Sequence, residues 1–152
     1  MSEKNGIKRK KILAVIAGIL FIFAVINVIW YFIIYRQYDK YTEAVPKNDM
    51  DIYAATDADG FSYNVKKPDY LSFDTGNLGV FESIGNGLII WPNTDDDHEY
   101  GFMIEDNDVT YQIYVDDDLE AINSEDQEIV DRNKDLLKTL FEKADAKWGI
   151  LK

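Results

Sequence analysis

Hydrophobic positions fall into three patterns along the chain. From residue 12 to residue 35 they are continuous, a run of 24 residues with no charge in which Asn27 is the only strongly polar side chain. From about residue 50 to residue 115 they alternate with polar positions in short stretches. From residue 124 onward they recur at intervals of three and four.

The first pattern predicts a membrane-spanning helix over residues 12–35. At 1.5 Å per residue such a segment reaches about 36 Å, against about 30 Å of hydrocarbon. Its many β-branched residues would weaken a helix in water. In lipid the helix still forms, because every backbone N–H and C=O must be satisfied within the segment. Lys8, Arg9, Lys10 and Lys11 precede the run directly, which places residues 1–11 in the cytoplasm as a basic tail and the remainder of the chain outside. Trp30, Tyr31, Tyr35, Tyr38 and Tyr41 mark the outer headgroup level, where an aromatic ring is apolar on its face and wet at its edge. A cleaved signal peptide would have a shorter apolar region and a small-x-small site after it. Tyr35, Arg36, Gln37 and Tyr38 follow instead, so the segment reads as an uncleaved signal anchor of a single-pass protein of the cell membrane.

Residues 36–46 extend the helix as a stalk that Pro46 ends, because the residue before a proline is pushed out of helical geometry. Tyr31, Tyr35, Tyr38 and Tyr41 share one helical face, with Asn27 one turn earlier. Interfacial anchoring is the simpler account of that stripe. The alternative is a packing face for a partner helix, formed by Asn27, Tyr31, Tyr35 and Tyr38.

The alternating region predicts a series of short strands, with Tyr70, Leu71 and Phe73 as a short apolar piece among them. Residues 52–55 start the series. Phe61, Tyr63 and Val65 alternate with polar neighbours, and residues 78–84 form another strand. Leu88, Ile89, Ile90 and Trp91 are apolar on both faces and read as a central strand covered on both sides. Tyr100, Phe102 and Ile104, then Val109, Tyr111, Ile113 and Val115, give a final hairpin. Asp59-Gly60 and Asn86-Gly87 are the turn signals, the second being the better match to a two-residue hairpin. No inter-strand segment is long enough for a helical crossover, so the sheet should be an antiparallel meander. The last pattern predicts one helix capped by Ser124 with Gln127 reaching back, striped by Ile129, Val130, Asn133, Leu136, Leu137, Leu140, Phe141, Ala144 and Trp148, and stopped at Gly149. The fold class is therefore α+β: a single N-terminal transmembrane helix, then an extracytoplasmic domain over residues 47–152 in which one amphipathic helix covers a β-meander.

Charge sharpens this division. Residues 1–35 carry five Lys/Arg and one Glu, whereas residues 36–152 carry eleven Lys/Arg and 27 Asp/Glu, a net of −16. So acidic a domain lacks the basic surface that nucleic acid requires, and is unsuited to lying on an anionic membrane. Basic partners and divalent cations remain compatible with it. The chain has no cysteine, which excludes disulfides, thiol chemistry and a lipoprotein anchor, and points towards a single-membrane bacterium.

Candidate chemistry is sparse. His98 is the one histidine, and there is no nucleophile elbow, phosphate-binding loop or H-E-x-x-H motif. The acidic clusters are Asp57 with Asp59, Asp95 with Asp96 and Asp97, and Asp116 with Asp117 and Asp118. Solvated loops are the plain account of all three. Asp95, Asp96 and Asp97 are the candidate ligands for calcium, which takes carboxylate oxygens from loops; no other cofactor is expected. The expected function is non-enzymatic: an anchored accessory protein that binds a protein partner, itself a candidate membrane protein, at the outer face of the membrane. The alternatives are a cell-envelope hydrolase using carboxylates or a divalent ion, and a ligand sensor or chaperone acting alone.

Overall fold

The computed structural model describes residues 2–83, 85–93, 98–106 and 109–150, with side chains from residue 9. A long helix leads into one six-stranded antiparallel sheet and a pair of C-terminal helices, so the protein is α+β. Helix α1 spans Ser2–Trp30 and continues through a π-helical turn (Tyr31–Tyr35) and a 3-10 turn (Arg36–Tyr38) into α2 (Asp39–Ala44). Arg9–Ala44 is long and apolar enough to cross a membrane, with a mean hydropathy of 3.0 in its apolar window.

The expected stalk does not stand clear of the domain. Tyr38, Tyr41 and Val45 are buried in the core, Tyr38 at 3% exposure. The buried line runs Trp30, Ile34, Tyr38, Tyr41 and Val45, while Tyr31 remains 45% exposed. A π turn is wider than an α turn. The wider turn favours the four-residue steps from Trp30 to Ile34 to Tyr38, and the tyrosine stripe expected from uniform α geometry is split. At Val45 the backbone turns extended (φ −130°, ψ 99°) ahead of Pro46.

The strands are β1 (Tyr53–Thr56), β2 (Ser62–Lys66), β3 (Asn77–Ser83), β4 (Asn86–Pro92), β5 (His98–Asp106) and β6 (Val109–Val115), paired in sequence order as a meander. One row of paired residues, Tyr53, Val65, Leu78, Ile90, Tyr100 and Val115, crosses all six strands on the inner face. Helices α2 and α4 lie against that face. Leu137, Leu140, Phe141 and Ala144 of α4 are buried there, with the Phe141 ring 4.7 Å from Tyr100 and the Trp148 ring 5.8 Å from Tyr63.

Four local expectations are corrected. The C-terminal helix is broken: a 3-10 turn (Ser124–Asp126) leads into α3 (Gln127–Arg132), and α4 (Lys134–Trp148) starts after Asn133 leaves helical geometry. Asn123, not Ser124, caps the start by accepting the Glu125 N–H at 3.3 Å, and the Gln127 amide turns instead to the Ala121 N–H at 2.8 Å. The β3–β4 turn falls at Gly85 (φ 95°), with Ser83 paired to Asn86, because Gly87 is needed inside β4 beneath the Phe81 ring. Strand β4 is covered by helix on one face only; Ile89 and Trp91 on its other face are half-buried. The stop at Gly149 is as expected, in left-handed geometry at φ 63°.

Candidate binding face on the open side of the sheet

The face of the sheet turned away from α2 and α4 is built on glycine. The pairing register sets Asn64, Gly79, Ile89, Gly101 and Tyr114 in one row, and Ser62, Phe81, Gly87, Met103 and Gln112 in the next. Glycine in a strand weakens it and marks a close approach by another group. Here the approaching groups are rings. A Cβ at Gly101 would stand 2.8 Å from the Trp91 ring, and one at Gly79 would stand 2.5 Å from Phe81. The rings thus lie over bare backbone and restore the cover that the glycines lack.

The empty position at Gly101 has a further consequence. Trp91 is on β4 and Tyr114 on β6, with β5 between them. Because Gly101 presents no side chain, the indole crosses β5 and meets the phenol ring, with centroids 5.8 Å apart and planes inclined at 34°. This pair divides two hollows. One, of about 230 Å³, is apolar and lies over Ile89, Gly101, Met103 and Gln112. The other, of about 260 Å³, lies at the end of the sheet nearest the apolar helix and is bounded by Tyr38, Phe73, Asp74 and Glu99 as well as the pair. Aromatic faces with carboxylates beside them suit a cationic group, since the ring quadrupole and the carboxylate charge attract it together.

Of the residues picked out in the sequence, Tyr38 borders the second hollow, and Asp57, Asp59 and Asp116 are engaged elsewhere. Asp95, Asp96 and Asp97 fall outside the described residues. Asp57 and Asp59 serve the fold: Lys147 donates to Asp57 at 2.9 and 3.0 Å, and Lys143 donates to Asp59. That hydrogen bond holds the Asp59 carboxyl below the usual range and raises Lys143. Asp116 closes its own turn by accepting the N–H groups of Asp118 and Glu120, both at 3.0 Å. Among the described residues no three His, Cys, Asp or Glu side chains come together as a metal site. His98 opens β5 with its ring 6.3 Å from that of Tyr100.

The helix face is occupied largely by the chain itself. The Asn27 amide donates to the Phe23 carbonyl at 2.7 Å and accepts from the Tyr70 hydroxyl. Tyr35 lies under the Lys67 ammonium, 4.7 Å from the ring centroid, and 5.4 Å from the Trp30 ring. Lys67 also donates to Asp39 at 2.6 Å, which lowers the Asp39 carboxyl. Tyr38 is in the core, and burial pushes its hydroxyl up to about 12. Of the four residues, Tyr31 alone is well exposed. The Trp91–Tyr114 ledge was missed in the sequence because an aromatic residue in a strand looks the same whichever face it takes. The signal that could have found it is three glycines inside strands rather than at their ends.

No family model matches the chain, and no curated protein or solved structure matches it either.

Proposed function

We propose that the protein is a membrane-anchored binding protein that acts by association rather than catalysis, with its domain outside the cell membrane and its basic N-terminal tail inside. The open face of the sheet is its recognition surface. The observation that carries this reading is the Trp91–Tyr114 ledge between an apolar hollow and a carboxylate-lined one. Side by side, the two hollows suit a partner segment that presents an apolar side chain next to a Lys or Arg. The net charge of −16 over residues 36–152 favours the same kind of partner, since complementary charge speeds encounter and rejects acidic competitors. The carboxylate-lined hollow lies at the helix end of the domain, so another protein of the same membrane is within its reach.

The test is co-purification of full-length protein from its own cells in mild detergent, comparing the native chain with Trp91→Ala and Glu99→Lys. A near-stoichiometric membrane protein should accompany the native chain. Loss of an aromatic anchor costs about 2 kcal/mol or more, roughly a 30-fold drop in affinity, so Trp91→Ala should release it. Glu99→Lys should do the same by charge reversal. A partner retained equally by both variants removes the open face from the account.

A further inference from the structure

Residues 68–76, in the connection between β2 and β3, are folded down along the apolar helix. The Trp30 indole N–H donates to the Ser72 carbonyl at 2.7 Å, the Tyr70 ring meets the Trp30 ring edge-on at 5.6 Å, and the Tyr70 hydroxyl donates to Asn27. Trp30 is left 6% exposed by this cover. The loop's own shape is fixed by three further bonds: Ser72 N–H to the Asp69 carbonyl at 2.9 Å, Asp69 N–H to the Thr75 hydroxyl at 2.8 Å, and the Ser72 hydroxyl to Asp74 at 2.8 Å. Leu71 is held at φ 56°, a backbone conformation that a branched residue adopts only when its surroundings impose it. A loop so constrained nevertheless turns two large aromatic side chains outward, Tyr70 at 65% exposure and Phe73 at 68%.

Depth along the helix says what meets them. The apolar run begins at Ile12, directly after Lys11. From there to Trp30 is 19 residues, or about 28 Å of helix, which matches about 30 Å of hydrocarbon. Trp30 therefore lies at the outer boundary, the level at which indole and phenol rings settle. Asn27 lies one turn deeper, where an amide lacks water and needs a partner in the protein. Tyr70 supplies that partner, so the loop reaches the same depth. We infer that residues 68–76 form a membrane-seating loop, whose Tyr70 and Phe73 side chains insert into the outer leaflet beside the helix and set the domain directly on the lipid surface. This inference rests on the reading of the helix as a membrane span.

The occupant is lipid, and neutral or zwitterionic lipid in particular. The loop continues the apolar surface of the helix, and its acidic residues disfavour an anionic headgroup layer. Asp69 is already paired with Lys66 at 3.2 Å, which reduces the charge brought to the surface. Seating also accounts for the absence of a free stalk: a domain resting on the bilayer needs no spacer, and Tyr38 and Tyr41 are used as core instead.

The chain has no cysteine, so single cysteines can carry a nitroxide without background. Full-length protein with Phe73→Cys, Ile19→Cys or Ile122→Cys would be placed in phosphatidylcholine bilayers, and the accessibility of each label to oxygen and to a water-soluble nickel chelate compared. Ile122, 70% exposed in the connection after β6, serves as the aqueous reference. The oxygen-to-nickel ratio should rise from Ile122 through Phe73 to Ile19. A label at Phe73 as open to nickel as the one at Ile122, with Ile19 still shielded, overturns the seating loop while leaving the span intact. An Ile19 label that also meets nickel freely overturns the span and the inference with it.

Discussion

The indole nitrogen of Trp30 donates to the main-chain carbonyl of Ser72 at 2.7 Å across 42 residues of sequence. The bond ties the end of the apolar helix to a loop of the sheet, and so fixes how the domain is presented relative to its anchor. Replacing Trp30 with Phe keeps a ring but orphans the Ser72 carbonyl, which should cost about 1 kcal/mol. Amide exchange should then rise in residues 69–76 and stay unchanged in β4 and β5. Uniform loosening of the sheet would show that the contact supports the fold generally and does not specifically hold the loop.

Glycine at position 101 and tryptophan at position 91 should behave as one unit. A Cβ at 101 would meet the indole, so Gly101→Ala should destabilise the protein by roughly 1–3 kcal/mol. Against Trp91→Ala the same change should cost far less, because the clashing ring is gone. Urea unfolding of the two singles and the double in detergent measures the coupling, and additive effects would contradict the stacking of the ring on bare backbone.

Most of the architecture was legible in the sequence, for definite reasons. The uncharged run before Arg36, the period-two alternation about Tyr63 and Ile113, and the stripe through Leu137 and Phe141 each follow from a single periodicity, and the N-terminal helix, β2, β6 and α4 lie close to where these place them. What was not legible depends on long-range pairing. Ser124 and Asn123 are both good caps, and the winner is decided by where the Gln127 side chain finds the Ala121 N–H. Ile89 and Trp91 are as apolar as residues of a fully covered strand, yet there is only enough helix to cover one face. The binding face was illegible for the same reason, since Trp91 and Tyr114 are 23 residues apart and meet only because Gly101 intervenes.

The Asp59–Lys143 pair, which joins the β1–β2 turn to α4, should leave a mark on acid and alkaline stability. The Asp59 carboxyl titrates below its ordinary value of 3.8 in the folded protein, so its contribution is present above that pH and lost as pH falls through the folded value. Lys143 titrates above 10.5 when folded, so its contribution is complete below that pH and lost as pH rises past it. Thermal unfolding of native protein and Asp59→Asn should therefore differ most at neutral pH and converge in acid. A gap that is constant into strong acid would contradict the pairing.

Tyr38 gives a second pH signature. Its hydroxyl titrates at about 12 in the folded protein because it is buried, against 10.0 when unfolded. Stability from this group is intact below pH 10 and falls as pH rises towards 12, by an amount on the order of 2–3 kcal/mol. Tyr38→Phe has no proton to lose, so its stability should decline less steeply over that interval. Parallel declines would mean that the Tyr38 hydroxyl is open to water.

The most direct test of the binding face is site-specific photo-crosslinking in living cells. A benzophenone amino acid would replace Gln112, exposed in the row beside the Trp91–Tyr114 pair, or Lys138, exposed on α4 on the opposite side of the sheet. The account predicts one discrete adduct from position 112, absent from position 138 and lost when Trp91→Ala is added. Equal adducts from both positions, or an adduct from 112 indifferent to Trp91, would contradict it.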